Sequence, residues 1–484
     1  MSRLDVTKAE SNQLGEDDFR PGGCDLQSSN LNSDPKGRTM KPSYRLALLI
    51  LPILSATAFA DDWPQWNGPG GKGIVTEDDI IDTVPASGLK AIWRKPVSYG
   101  FSGPAVANGL VYVTDYVRKS GEITNNPSKR DELTGQERIL CFNAKTGEQV
   151  WEHKYDRDYA VSYPGGPRVV PTIHNGQLYA IGAEGNLTCL NAKTGDVRWK
   201  HDFAKEYGAE TPLWGHSAPP LVYKGTLICL VGGKGSLIVA FDLETGKEKW
   251  KTLSSEEGEE GTGYCPPTII KHGGVDQLLV WSPTALYSLN PDTRKVYWQF
   301  GLNPGYRMSI LPPMLDGNML YTAGESQKSL MLELDPAKPA AKEVWRGNPR
   351  NSVYFATNYG HFESGYIYGA DINGMMVCAR ASDGKRMWQT TQLTMGKENQ
   401  RKANHTSAFT MKLKGDKYLM FTDAGDVVSA TMNPEGYKET GRFHAIEPTE
   451  NIYRRTVVWT YPAISDGSLF LRNGKEIVCF DVGK

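Results

Sequence analysis

Eight polar or aromatic residues stand at comparable places along the chain, each a few residues ahead of a recurrent proline or its equivalent. They are Arg168, Trp214, His216, Tyr264, Arg307, Asn358, His405 and Arg455. Arginine and histidine suit an anionic ligand, and the amide and aromatic side chains suit a polyhydroxylated one. We expect these residues to bind a ligand, although they could also merely solvate a water-filled opening. The set contains no Asp or Glu, which argues against a site for a hard cation.

Other motifs that carry chemistry are missing from the sequence. Only eight histidines are present, and none has the spacing of a common zinc site. His216 and His405 occupy matching places, so they are candidates for a general base or a ligand contact, or else ordinary hydrogen-bonded histidines. The glycine-rich stretch 232–235 lacks the pattern of a phosphate-binding loop. The sequence therefore predicts no metal and identifies no catalytic residue.

A repeat explains how these residues are positioned. The strings "CFNAKTGEQVW" (141–151), "CLNAKTGDVRW" (189–199) and "AFDLETGKEKW" (240–250) share a small residue, an Asn or Asp, a Thr-Gly turn and a Trp. Eight such units follow one another at intervals of 45 to 51 residues, a period typical of solenoids and propellers. In the fifth unit Glu333 stands where the others have a small residue, and in the seventh Phe443 replaces the Trp. The closing residues are Trp151, Trp199, Trp250, Trp298, Trp345 and Trp388.

Each unit predicts four short antiparallel strands. Residues 168–203 alternate strand patterns with "NG", "EG" and "KTG" turns and show no helical periodicity. Such a unit is one blade of a β-propeller. The eighth unit ends at Lys484 before its fourth strand, while Trp93 stands alone within Leu89–Val97. We therefore predict an all-β, eight-bladed propeller whose ring is closed by an N-terminal strand that completes the last blade.

The composition and the amino end indicate an exported protein. The net charge is −1 and no basic block follows residue 61, so nucleic acid is not an expected partner. Residues 40–60 have the charged, apolar and Ala-x-Ala regions of a signal peptide. Residues 1–39 are then a mis-start of the reading frame or a disordered extension, and residues 61–484 form the propeller. We expect a periplasmic or extracellular monomer without a transmembrane segment.

The repeated motif resembles the tryptophan-docking motif of quinoprotein alcohol dehydrogenases and related PQQ-like propellers, including BamB-like proteins. The resemblance covers 89–484. It implies that Cys141, Cys189, Cys378 and Cys479 fill the slot beneath a docking Trp, on blades too far apart for disulfides. It assigns the docking role to the six closing tryptophans and to Trp93. In that family, PQQ stacks between a Trp and a ring formed by two adjacent cysteines, beside Ca²⁺. No Cys-Cys pair occurs here, so no catalytic residue is carried over.

Two functions remain open. The first is a non-catalytic binding or scaffold protein for a protein or polysaccharide ligand, with no cofactor. A protein that only docks other proteins would instead show an exposed apolar patch on the rim of the propeller. The second is a PQQ-dependent dehydrogenase of alcohols or sugars, with Ca²⁺ and with Arg168, Arg307 and Arg455 holding the cofactor carboxylates.

Two segments lie outside the repeat. The leader "DDWPQWNGPGGKG" resembles the start of PQQ-like propellers of planctomycete-type bacteria, and we expect Trp63 and Trp66 on the ring exterior. The polar stretch Val117–Arg138 is long for a loop within a blade, which predicts a lid, a docking loop or disorder.

Overall fold

Eight four-stranded antiparallel sheets form the ring that the repeat predicts. A computed structural model describes residues 61–256, 258, 261–355, 357–398 and 405–484. The signal peptide expected at 40–60 and the segment 1–39 lie outside these residues. None of the helices in the described part of the chain is long and apolar enough to cross a membrane.

The strands follow the chain order blade by blade. Strand β1 (Ala91–Pro96) comes first and belongs to the last blade. The first blade contains β2 (Ala105–Ala107), β3 (Leu110–Ser120), β4 (Asp131–Asn143) and β5 (Gln149–Asp156), with β6 (Tyr159–Val161) added to β4. The second contains β7 (Thr172–His174), β8 (Gln177–Ile181), β9 (Asn186–Asn191) and β10 (Val197–Asp202). The third contains β11 (Leu221–Tyr223), β12 (Thr226–Leu230), β13 (Ile238–Asp242) and β14 (Glu248–Thr252).

The remaining blades repeat this order. The fourth contains β15 (Thr268–His272), β16 (Val275–Trp281), β17 (Ala285–Leu289) and β18 (Val296–Gly301), and the fifth β19 (Met314–Asp316), β20 (Met319–Gly324), β21 (Lys328–Leu334) and β22 (Ala341–Arg346). The sixth contains β23 (His361–Glu363), β24 (Tyr366–Ala370), β25 (Met376–Arg380) and β26 (Arg386–Thr390), and the seventh β27 (Ala408–Lys412), β28 (Lys417–Thr422), β29 (Asp426–Asn433) and β30 (Gly436–His444). A separate hairpin, β31 (Glu450–Ile452) and β32 (Arg455–Val457), precedes the eighth blade, which contains β33 (Ala463–Ser465), β34 (Ser468–Arg472) and β35 (Glu476–Asp481). Two short helices, α1 (Phe203–Tyr207) and α2 (Gln392–Met395), follow β10 and β26.

The predicted ring closure is confirmed. Strand β1 pairs antiparallel with β35, and Trp93 lies opposite Cys479. The closure also buries Arg472, whose guanidinium donates to the carbonyl oxygens of Thr114 at 2.8 Å and Ser98 at 2.6 Å. An N-terminal and a C-terminal segment therefore share the last blade, and β35 is paired on both sides, not left as a sheet edge.

The repeated motif joins neighbouring blades. The indole nitrogen of Trp151 donates to the carbonyl oxygen of Ala192 in the next blade at 3.0 Å. Its ring lies against Gly195, where a side chain would have no room because a Cβ atom would lie 2.7 Å from the indole. Gly195 also has a φ of +78°, which favours glycine. The same indole-to-carbonyl bond recurs in four other blades, at Trp93, Trp199, Trp345 and Trp388.

Two of the eight units differ from the sequence alignment, and one turn residue is unusual. In the fifth blade Trp345 lies opposite Met331, not Glu333, because the β21–β22 hairpin is longer. In the seventh blade Gly441 takes the Trp position opposite Ser429, and Phe443 lies two residues further on. The fourth blade has Arg294 at φ +63° in place of the turn glycine, with its guanidinium over the ring of Trp250. The Arg294 side chain therefore covers the Trp250 ring at the position where a turn glycine contacts the indole in other blades.

The long stretch Val117–Arg138 is mostly strand, contrary to a loop or a disordered segment. Strand β3 runs to Ser120 and β4 begins at Asp131. The tip of this hairpin packs on the connectors before and after the second blade, since Arg130 donates to the carbonyl oxygen of Thr211 at 2.8 Å and Ser162 donates to that of Asn126 at 2.9 Å. The extended hairpin therefore supports the connectors that enter the second and third blades.

The expectation that Trp63 and Trp66 pack on the exterior is wrong. Trp63 pairs with Val106 on the innermost strand of the first blade, through N–H to carbonyl bonds of 2.9 and 2.8 Å. Ile74 pairs in parallel with Lys412 on the innermost strand of the seventh blade. Between these two anchors the leader crosses the central channel and places Trp66 inside it.

Candidate functional site

A cavity of about 210 Å³ opens at the mouth where the connectors between blades converge. Each connector runs from the outermost strand of one blade to the innermost strand of the next, so all eight bring residues to the axis. Most of the lining side chains are aromatic. The lining residues are Trp66, Phe101, Tyr163, Arg168, Trp214, Ser217, Pro219, Tyr264, Pro266, Met308, Ile310, Thr357, His405, Ile452, Tyr453, Trp459 and Tyr461.

Four of the eight residues chosen from the sequence line this cavity, namely Arg168, Trp214, Tyr264 and His405. The other four do not. His216 is buried against Phe203, and this burial lowers its pKa to about 4. The amide of Asn358 donates to the carbonyl oxygen of Ala370 at 2.9 Å.

Arg307 and Arg455 stand beside lining residues without lining the cavity themselves. Arg307 ends a 3₁₀ turn, Gly305–Arg307, directly before the lining residue Met308. Arg455 forms an ion pair of 3.1 Å with Asp423, whose side chain is 1% exposed. Burial raises the pKa of Asp423 in spite of this guanidinium. The pair therefore combines a buried carboxylate with a partly exposed guanidinium.

Arg168 is held by its own connector. Its guanidinium donates to the carbonyl oxygens of Ser162 at 3.0 Å and Tyr163 at 2.7 Å, and also to that of Gly166. It also lies over the ring of Phe101, 5.3 Å from the centroid. Burial lowers the pKa of Arg168, but a guanidinium stays charged in proteins. Arg168 thus brings a positive charge to the cavity wall while most of its donors are used internally.

Three lining residues with large side chains have left-handed backbone. Tyr163, His405 and Tyr453 have φ values of +47°, +57° and +48°. This conformation costs about 1–2 kcal/mol for a residue with a Cβ atom, and such residues concentrate at functional sites. Arg168 binds the carbonyl oxygen of Tyr163, and Arg455 binds that of His405 at 3.1 Å. The two arginines therefore hold strained connectors in place.

His405 contributes an aromatic ring to the cavity wall, and this ring is uncharged at neutral pH. Its ring stacks on Tyr453, with centroids 4.7 Å apart and an interplanar angle of 8°. Burial, followed by the nearby charge of Arg455, lowers the pKa of His405 to about 4. The imidazole is therefore neutral at neutral pH and suits a neutral ligand.

The floor of the cavity is Trp66. Its indole lies edge-on to the rings of Tyr359 and Tyr461, each with a centroid distance of 5.4 Å. Beyond it, on the leader side, lies a second cavity of about 650 Å³ that Trp66 also lines. The leader thus divides the channel into two cavities and closes the bottom of the aromatic one.

Sequence reasoning did not place four of the aromatic lining residues at the mouth, namely Trp66, Tyr163, Tyr453 and Tyr461. Phe101 and Trp459 fall within the connectors indexed on the recurrent proline, but nothing in that index distinguishes them from their neighbours. Tyr163 and Tyr453 lie further upstream in those connectors, and the leader motif predicts Trp66 on the exterior. The useful signal is the density of aromatic residues in the connectors, as in "NIYRRTVVWTYP" (451–462).

Comparison with known proteins supports the same architecture. Residues 74–267 match the model of a family described as outer membrane protein assembly factor BamB. The solved structure of quinohemoprotein alcohol dehydrogenase from Comamonas testosteroni aligns with a TM-score of 0.53 at 14% identity, over 88% of this chain and 81% of that one. BamB from Moraxella catarrhalis aligns at 14% identity over 81% of this chain and 99% of that one, with a TM-score of 0.37. No curated protein matches by sequence.

The resemblance to BamB-like proteins is confirmed for residues 74–267 by the family model, and the resemblance to the quinoprotein dehydrogenases is confirmed for the fold. At 14% identity the dehydrogenase likeness concerns the fold and not the reaction.

The PQQ and Ca²⁺ of quinoprotein dehydrogenases do not fit the residues that line this cavity. The described lining residues include no carboxylate or amide side chain, and oxygen atoms of that kind are the usual ligands of Ca²⁺. Within the described ranges, no cluster of three His, Cys, Asp or Glu residues could hold a metal. Of the arginines suggested for the cofactor carboxylates, Arg168 binds backbone carbonyls and Arg455 binds Asp423.

Proposed function

We propose that this protein is an exported, non-catalytic binding protein whose aromatic cavity accepts one ring-shaped group of a protein or polysaccharide ligand. The observation that carries the proposal is the cavity itself, walled by aromatic side chains at the convergence of all eight blades. Concave, mostly apolar sites with a few polar groups are typical of ligand binding. Three strained lining residues support the assignment, because nothing in the repeat requires them.

Export and a macromolecular partner are part of the proposal. The signal-peptide pattern at 40–60 supports a periplasmic or extracellular location. The family model that matches 74–267 describes an assembly factor for outer membrane proteins, which favours a protein partner for its relatives. We extend this to the present chain only as a binding or scaffold role, with the ring acting as a monomer.

The second candidate is a PQQ-dependent dehydrogenase of alcohols or sugars. One observation favours it, since Trp66 brings an aromatic ring to the cavity against which a planar quinone could pack. The donor set argues against it, because the described lining offers no carboxylate for Ca²⁺ and the two placed arginines are already bound.

One experiment separates the two candidates. Calorimetry of the purified protein with PQQ, with and without Ca²⁺, would be run beside binding to immobilised oligosaccharides and to a peptide library. We expect no saturable PQQ binding at near-millimolar concentration, and binding to a macromolecular ligand that Trp214→Ala weakens about tenfold. Val150→Ala is the control, because Val150 is 48% exposed on the outer strand β5. Tight, Ca²⁺-dependent PQQ binding with dye reduction would refute the binding-protein proposal.

A further inference from the structure

We propose that the cavity takes the end of a carbohydrate chain and accommodates its terminal sugar ring. This inference rests on the proposed function and names the ligand class of the same site. It follows from three features of the cavity: the amphipathic wall, the closed floor and the sign of the charge.

The cavity wall combines the apolar faces of aromatic rings with hydroxyl groups that can form hydrogen bonds. Six lining residues carry hydroxyl groups, namely Tyr163, Ser217, Tyr264, Thr357, Tyr453 and Tyr461. The hydroxyl of Tyr461 donates to the carbonyl oxygen of Thr357 at 3.1 Å, and a hydroxyl used as a donor still accepts. A sugar ring has the complementary arrangement, with an apolar C–H face and a rim of hydroxyls. Among the described residues, the hydroxyl of Tyr163 is buried without a hydrogen-bond partner, and a purely aliphatic group would leave it so at a cost of about 1–3 kcal/mol.

The floor restricts the ligand to a chain end. Trp66 is held on both sides of the channel, since Ile173 donates its N–H to the carbonyl oxygen of Pro64 at 2.8 Å and Lys412 donates its N–H to that of Gly73 at 2.8 Å. The rings of Tyr359 and Tyr461 pack against the indole on two sides. A polymer therefore cannot pass through to the second cavity, and a volume of about 210 Å³ accommodates a single ring.

The charge of the wall selects among sugars. Arg168 is the one permanently charged residue in the described lining, and His405 is neutral above a pKa of about 4. A cationic amino sugar would meet an adjacent guanidinium, whereas the carboxyl groups that interact with Arg168, on Glu137, Glu184 and Glu450, lie outside the described lining. The site should therefore prefer a neutral or carboxylated terminal sugar.

A peptide is the less favoured ligand at this mouth. A peptide that adds as a strand needs an unpaired sheet edge, whereas the lining comes from connectors and only Ile452 belongs to a strand. The cavity accordingly offers side-chain surfaces more than backbone donors and acceptors.

The test uses oligosaccharides in two orientations. Maltotetraose, cellotetraose, tetragalacturonate and a glucosamine tetramer would be immobilised through the reducing end, leaving the other terminus free, and in parallel with both ends blocked. We expect the protein to bind at least one neutral or acidic tetramer with a free terminus at least tenfold more strongly than its blocked form, and not to bind the glucosamine tetramer. In solution, its affinity should not increase from the dimer to the hexamer.

Variants connect the result to the cavity. Trp214→Ala should weaken binding about tenfold, while Val150→Ala should leave it unchanged. Trp66→Ala removes the floor, so its affinity should increase with the length of the oligosaccharide. Trp66→Phe keeps the floor, and its affinity should be independent of length, as in the wild type. This second variant is used if the alanine variant does not fold. Equal binding of blocked chains, or no carbohydrate binding at millimolar concentration, would refute the inference. Peptide binding that Trp214→Ala abolishes would then preserve the proposed function, whereas PQQ binding alone would refute both.

Discussion

Four docking tryptophans contact the turn glycine of the next blade, and this contact gives a quantitative prediction. Gly147 has a φ of +68°, and a Cβ atom there would lie 2.6 Å from the indole of Trp93. Gly109 has a similar φ of +73° in the β2–β3 turn, but a Cβ atom there would meet nothing within 4 Å. Gly147→Ala and Gly109→Ala therefore share the backbone effect and differ in the docking contact.

The expected magnitudes follow from this difference. Each alanine introduces a left-handed strain of about 1 kcal/mol. Gly147→Ala must in addition displace Trp93, which is 8% exposed and donates to the carbonyl oxygen of Ala144 at 2.8 Å. Complete loss of a buried Trp costs about 3–5 kcal/mol, so partial displacement should add about 2 kcal/mol. We expect Gly109→Ala to lower the free energy of unfolding by about 1 kcal/mol and Gly147→Ala by about 3 kcal/mol.

Urea unfolding followed by tryptophan fluorescence measures both values, and near-ultraviolet circular dichroism reports whether Trp93 has moved in the native state. The double variant Gly147→Ala/Trp93→Ala is the matched control, because the added methyl group then has no indole to displace. Equal destabilisation by the two glycine variants would refute the argument, since the docking contact would then contribute nothing beyond the turn conformation.

Three further predictions concern buried polar and thiol groups. Burial raises the pKa of Glu450 to about 7, above its value of about 4.5 in the unfolded chain, so folding binds a proton between these pH values. The contribution of this group to stability should therefore be highest below pH 4.5 and should fall by up to about 3 kcal/mol as pH rises through 7. In urea unfolding at pH 5 and pH 8, Glu450→Gln should remove that decline. An unchanged decline in the variant would refute the assignment. Arg455→Met leaves Asp423 buried without its charged partner, although the N–H of Ser407 and the indole of Trp459 still donate to it, and should cost about 3–5 kcal/mol. Most of this loss should be recovered in Arg455→Met/Asp423→Asn, and a double variant as unstable as the single one would contradict this reasoning. Burial raises to about 12 the pKa of the four thiols in the docking slots, those of Cys141, Cys189, Cys378 and Cys479. These thiols should react with a thiol reagent only in denaturant, and labelling of the native protein would disprove this prediction.

The blade repeat was predictable because one short motif carries both of its structural roles. The Asn143 side chain accepts the backbone N–H of Lys145 at 2.9 Å and of Thr146 at 3.0 Å, which fixes the turn locally. The Trp eight residues later then reaches the next blade. Where hairpin length changes, as at Met331 and Trp345, counting from the turn fails, because pairing in a strand depends on register and not on distance along the chain.

The sequence predicted where the site lies in the fold but not which side chains form it. The recurrent proline correctly marks the connectors, and four of the residues chosen there line the cavity. The connectors themselves have no period of 2 or 3.6, so the sequence does not show which side chains face the axis. Tyr163 and Tyr453 point inward from left-handed backbone that tertiary contacts impose, and arginines at 168 and 455 look like ligand-binding groups until their carbonyl partners are known.

The leader connects the stability of the ring with the depth of the cavity. Trp63 bonds the first blade, Ile74 the seventh, and Ile80 pairs with Gly483 at the end of the eighth. The same short segment therefore ties together the blades on both sides of the closure and supplies Trp66 as the cavity floor. A change that loosens the leader should then act on both properties at once, which distinguishes this floor from a side chain carried by a single blade.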